Sequence, residues 1–191
     1  MLTHSEILSV LEMLHHEHLD LRTVTLGVSL LDCASDDLGR FTTRIYDRIT
    51  QKAERLVAVC DQVGEKYGIP VVNKRVSVSP IAVAAAPFNS EQMVAVAHAL
   101  DRAARTVNVD FIGGFSALVE KGIATGDRAL IDALPQALSE TERLCASINV
   151  ACTRAGINMD AILLLGRRIK AAADLTADRD GIACAKLCVF A

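Results

Sequence analysis

Asn73, Arg75, Ser77 and Ser79 recur at every second position of the run VVNKRVSVS. In an extended strand that spacing puts all four side chains on one face. An arginine beside hydroxyls and an amide is a set that binds carboxylate or phosphate. The guanidinium offers two parallel donors, and Ser79, just before Pro80 at an expected helix start, adds backbone N–H groups. The same residues also read as a solvated strand end with an ordinary cap. Gly113, Gly114, Phe115 and Ser116 follow an expected strand, as do turns that expose a nucleophilic serine. Such a turn needs glycine two residues after the serine, where this chain has Leu118, so the pair reads as a tight βα turn that lets a ligand or another segment approach.

Ser147 and Asn149 alternate in the same way and form a second polar cluster with Thr153 and Arg154. Either ligand contact or satisfaction of a polar barrel lining accounts for them. Asp32 and Cys33 close the first expected strand, just before a helix opened by Asp36 and Asp37. The thiol there is a candidate nucleophile, favoured by a helix start and opposed by the nearby acids. His15 and His18 have the spacing of a metal-binding helical pair, with His16 between them, but no fourth ligand is fixed and histidines suit a helix C-terminus. Cys145 and Cys152 are seven apart, Cys184 and Cys188 four apart, and no C-x-x-C occurs. No metal site is expected. Neither a P-loop nor a G-x-G-x-x-G run is present, and no cofactor is named by the residues.

The elements that must position these groups follow from periodicity. Apolar residues at helical spacing predict helices over 5–18 and 37–67, a short one from Pro80 to Ala86, one opened by the capping box of Asn89 and Gln92, one from about Asp127 interrupted at Pro135, and one around 159–169. Alternation predicts strands over 22–31, from Val71, over 108–113, over 143–150 and at the terminal run AKLCVFA. Strands alternating with long helices predict an α/β chain with parallel strands and outer helices, one domain over 1–191. The last strand is apolar with no helix after it, which calls for further strands or a partner to cover it.

Composition narrows the function classes. The 20 Lys and Arg against 23 Asp and Glu give a net charge of -3, so no basic field for nucleic acid or an anionic membrane surface is available. Aromatics are 4% with no Trp, too few for base-stacking platforms. No apolar run is long enough to span a membrane, and six cysteines without a secretory signal fit a reducing, cytoplasmic setting.

Together the runs LDLRTVTLGVSLLDC, IPVVNKRVSVSPI, VDFIGGFSALVEKG, ETERLCASINV and GIACAKLCVFA resemble the uncharacterised PFL family proteins, domain-of-unknown-function family seven-eleven, over residues 5 to 191. The resemblance implies a β/α barrel like that of pyruvate formate-lyase and other glycyl radical enzymes. Its members are more than twice this length, so the chain corresponds to their N-terminal half. Radical chemistry on that fold needs a C-terminal glycine loop beside a cysteine at the barrel centre; this sequence has no such loop, so that chemistry is not inherited. The family's company of small ACT-domain proteins implies a regulatory partner. Two functions are expected from all this. One is binding or converting a small anionic metabolite, with Asn73, Arg75, Ser77, Ser79, Gly113, Gly114, Ser147 and Asn149 around it and Asp32 or Cys33 as the reactive group. The other is a non-catalytic scaffold that docks an ACT-domain protein or another copy of itself.

Overall fold

The computed structural model describes residues 3–16 and 21–191. Alternating β-branched and small residues build five parallel strands, β1 (Leu21–Val28), β2 (Val71–Val78), β3 (Phe111–Leu118), β4 (Leu144–Asn149) and, at the far edge, β7 (Leu187–Phe190). They lie in the order β1-β2-β3-β4-β7, the order in which the chain makes them. The longest connections are helical: α2 (Leu38–Ala53) and α3 (Leu56–Tyr67) after β1, α4 (Ile81–Ala84) and α5 (Ser90–Thr106) after β2, and α6 (Thr125–Glu140) after β3. Beyond β4 come a two-residue hairpin, β5 (Ala151–Cys152) with β6 (Gly156–Ile157), then α7 (Met159–Leu175) and α8 (Ile182–Ala185). α1 (His4–His15) precedes β1.

Right-handed crossovers that always step the same way put their helices on one side of the sheet. Accordingly α2 packs on α5, α5 on α6 and α6 on α7. The helix side of the sheet is dry. Val28, Val76, Val78, Ile112, Phe115, Leu144 and Ile148 meet Phe41, Ile45, Leu100, Leu130 and Leu134 there. Each fully buried side chain of this size contributes about 1.5–3 kcal/mol of transfer free energy. Phe41 and Phe88 close one end of this layer with ring centroids 5.3 Å apart. Among the described residues the opposite face carries no helices, and its side chains are half-buried or exposed apart from Ser116, which is buried. A five-stranded parallel sheet with helices on a single face is the arrangement of half a barrel.

Several expectations hold and several are corrected. Asp37 caps α2, its carboxylate accepting the Arg40 N–H at 2.6 Å. Asn89 and Gln92 form both halves of their capping box. The single helix expected over 37–67 is two, broken at Glu54 and Arg55, which lets α3 turn back onto β2. The third strand does not stop at Gly113. It runs through both glycines to Leu118, with its register against β4 slipping between Ile112 and Phe115. Gly114 sits at φ 110°, a backbone only glycine adopts freely, and that bulge keeps the strand in the sheet. Pro135 stands buried inside α6 without ending it.

Ser79 does not cap the short helix. Its hydroxyl accepts the N–H of Leu30 at 3.2 Å, tying the end of β2 to the exit of β1, and Pro80 takes the cap position. Ser79→Ala should therefore cost about 1–2 kcal/mol by stranding the N–H of a fully buried residue. Urea unfolding measures it, and no change would show the bond to be dispensable.

Candidate functional site

Parallel pairing places register partners on the same face, so the open face can be read as rows. Thr23 pairs with Asn73. Thr25 pairs with Arg75 and Arg75 with Phe111; Gly27 pairs with Ser77 and Ser77 with Gly113. Past the bulge, Ser116 pairs with Ser147 and Ser147 with Cys188, while Leu118 pairs with Asn149 and Asn149 with Phe190. Asn73, Arg75, Ser77, Gly113, Ser147 and Asn149 thus share one face. Cys145, two residues before Ser147, faces the same way.

Arg75 is the centre of this face. Its guanidinium lies over the Phe111 ring, 5.2 Å from the centroid, and its Nε is buried with no hydrogen-bond partner. None of the ion pairs among the described residues includes it. Other half-buried cations on strand and helix are matched, as Lys74 is to Asp61 at 2.8 Å and Arg168 to Asp132 at 2.8 Å. A second cation stands on β7's approach. Lys186 donates its Nζ to the Thr141 carbonyl at 2.5 Å, and burial pulls its pKa below the ordinary lysine range. Its own carbonyl accepts from Ala146 at 2.8 Å, which sets it beside Cys145. Burial pushes the Cys145 thiol up, while the Arg75 and Lys186 charges pull it down.

The polar side chains differ in what remains free. Asn73 donates to the Arg22 carbonyl at 3.2 Å, and Asn149 to the Glu120 carboxylate at 3.3 Å. Ser116 donates to the Gly114 carbonyl at 3.2 Å. Gly113 opens onto empty space, and so does Gly27, while Gly114 turns into the body of the sheet against Val78. Of the glycine pair, Gly113 alone presents an open surface.

Two expected groups lie elsewhere. Asp32 pairs with Arg48 of α2 at 2.6 Å, and that hydrogen bond holds its carboxyl below the usual carboxylate range. Cys33 is in the core, its Sγ 3.8 Å from the Arg44 carbonyl, and burial raises its pKa. A helix start does not activate this thiol, because it is enclosed on the α2 side and cut off from Arg75's face. His18 and the side chain of His15 lie outside the described residues. Among the described residues no group of three His, Cys, Asp or Glu could hold a metal ion. No described helix is long and apolar enough to cross a membrane. Residue type alone does not mark Phe111, Cys145 and Lys186 as members of the site. Parity with Gly113 and Ser147 marks the first two.

The match to known proteins is extensive. The model of the family described as "Uncharacterised ACR (DUF711)" covers residues 12–191. The chain belongs to this family. A DUF711 relative, the "UPF0210 protein" of Desulfovibrio desulfuricans, is 64% identical over 191 residues, all of this chain and 41% of its own length. The "UPF0210 protein" of Syntrophobacter fumaroxidans is 63% identical over 191 residues, all of this chain and 42% of its own. That of Methanosarcina barkeri is 55% identical over 186 residues, 97% of this chain and 41% of its own. The chain therefore spans about two fifths of the length of the curated DUF711 relatives it matches.

Proposed function

We propose that this DUF711 chain forms one side of a β/α barrel of the pyruvate formate-lyase type, whose inward face binds a small anionic metabolite, a carboxylate or phosphate, at Arg75. The observation that carries the reading is an arginine with a buried, partnerless Nε and no ion-pair partner among the described residues, on a face that sets the small and polar Ser77, Gly113 and Ser147 near it. An unmatched guanidinium keeps its full charge for a ligand, and bidentate contacts of this kind are among the stronger hydrogen bonds. Ser77 and Gly113 stand in the next row and leave room beside it, with Ser147 beyond. Asn73 and Asn149 act chiefly to brace the rim, since both amides already donate within the protein.

Screening carboxylates and phosphates by thermal shift tests this. A ligand should raise the melting temperature, and Arg75→Ala should weaken its binding by about 10–100-fold, the equivalent of a charge-assisted contact of ~1.5–3 kcal/mol. Shifts that survive Arg75→Ala would end the proposal.

The edge of the sheet supports a second role. Among the described residues β7 has an unpaired outer side, and Val189 and Phe190 on it and Ile182 on the adjoining α8 are exposed apolar residues. In this reading the margin docks further strands, which the additional length of the DUF711 relatives would supply. A second copy or a small ACT-domain regulator docked there would make the chain a scaffold. Light scattering separates these outcomes: a monomer that recovers no stoichiometric partner in a pull-down speaks against the scaffold.

A further inference from the structure

Arginines in folded proteins are commonly held in place by a carboxylate, which fixes the side chain but cancels its charge. Arg75 is held differently. Its register partner on β3 is Phe111, and the guanidinium rests over that ring at 5.2 Å. Phe111 is half-buried on the open face and takes no part in the apolar cluster under the helices. Its position is thus not explained by packing of the core. An aromatic face attracts a guanidinium through its quadrupole without neutralising it.

We propose that Phe111 is the positioning residue of the anion site: its ring stands where an acid would otherwise stand and holds Arg75 on the open face with its whole charge left for a ligand. This role rests on the anion reading of Arg75. It also explains the choice of residue at a strand position where any β-former would satisfy the sheet. Leucine or valine would pair equally well with the backbone of β2 but would leave the guanidinium free to swing into solvent.

Cys145 provides a readout that needs no natural ligand. It shares the face, and Arg75's charge acts on its thiol. Iodoacetate and iodoacetamide alkylate a thiolate by the same step: the S–C bond forms, the C–I bond breaks, iodide leaves and the thiol proton passes to solvent. They differ in that iodoacetate carries a carboxylate. The ratio of their rates at Cys145, read by peptide mass spectrometry and divided by the same ratio in the urea-unfolded chain, reports a fixed positive charge beside the sulfur.

The folded chain should favour iodoacetate, and Arg75→Ala should bring the ratio most of the way toward the unfolded value, leaving the share that Lys186 supplies. Phe111→Leu and Phe111→Met should lower it by about threefold to tenfold, the range of a lost cation–π contact, and Phe111→Tyr should retain it. Melting temperature confirms that each variant is folded; if Phe111→Leu does not fold, Phe111→Met and Phe111→Tyr carry the comparison. A ratio that falls in Arg75→Ala but stays at the native value in folded Phe111→Leu or Phe111→Met overturns the role of Phe111 alone. A ratio indifferent to Arg75→Ala overturns the anion reading itself. Should Cys145 be closed to both reagents, the same variants are compared by the melting shift that succinate produces, with the same outcomes deciding.

Discussion

Asp101→Ala should lower stability by about 3–5 kcal/mol, the loss expected when a buried, fully hydrogen-bonded charge is removed and its partners are left behind. Asp101 lies on α5 and is only 3% exposed. One of its oxygens accepts from the backbone N–H groups of Glu142, Arg143 and Leu144 at 3.0, 2.6 and 3.2 Å, and the other accepts from Arg105 Nε at 2.9 Å. A single carboxylate thus fixes the whole entry into β4 from a helix on the far side of the core. Alanine supplies no acceptor, and Leu144 is fully buried, so water cannot take over its N–H. Thermal unfolding should show a drop of roughly 10 °C for a chain of this size. Asp101→Asn keeps one acceptor oxygen and should lose about half as much. A loss under about 1 kcal/mol for alanine would mean that the loop finds other partners.

The paired glycines should respond in opposite directions. A Cβ on Gly114 would stand 2.5 Å from both the Cγ2 and the carbonyl oxygen of Val78, and the residue's φ of 110° is one that side chains rarely adopt. Gly114→Ala should therefore cost about 3 kcal/mol or more, combining backbone strain with a clash that neither neighbouring strand can relieve. Gly113 has nothing within 4 Å of a built Cβ and no positive φ. Gly113→Ala should leave stability within about 1 kcal/mol or raise it, because alanine loses less backbone freedom on folding. Denaturation of the two variants side by side tests the bulge directly. Equal losses would show that the register slip in β3 is not held by Gly114.

Local chemistry made some of this legible in the sequence and hid the rest. Alternation marks β1, β2 and β4 because each has one face in the core and one outside, and the Asn89 capping box marks the start of α5 by reciprocal hydrogen bonds within four residues. The break between α2 and α3 has no such mark. Glu54 and Arg55 are good helix formers, and it is the packing of α3 on β2 that breaks the helix there. Gly113 and Gly114 suggest a turn because glycine usually ends a strand, yet here one of them makes the bulge that lets Phe115 and Ala117 stay in the core. For the site, the spacing of Asn73, Arg75 and Ser77 was enough to put them on one face. Phe111's contact with Arg75 depends on inter-strand register, which no single strand records. Asp32 and Cys33 follow a strand end and so look ligand-facing, but the chain has already turned onto α2 when it reaches them.

The agreement between chain order and strand order has a consequence for synthesis. Every strand of the five-stranded sheet after the first joins the sheet strand made before it, so a chain leaving the ribosome can add each βα unit to a surface already in place. Parallel sheets in which a late strand must insert between two early ones have to hold a gap open or form it twice, with unpaired backbone exposed meanwhile. This sheet grows from one side only, and at each stage the aggregation-prone edge is a single strand wide.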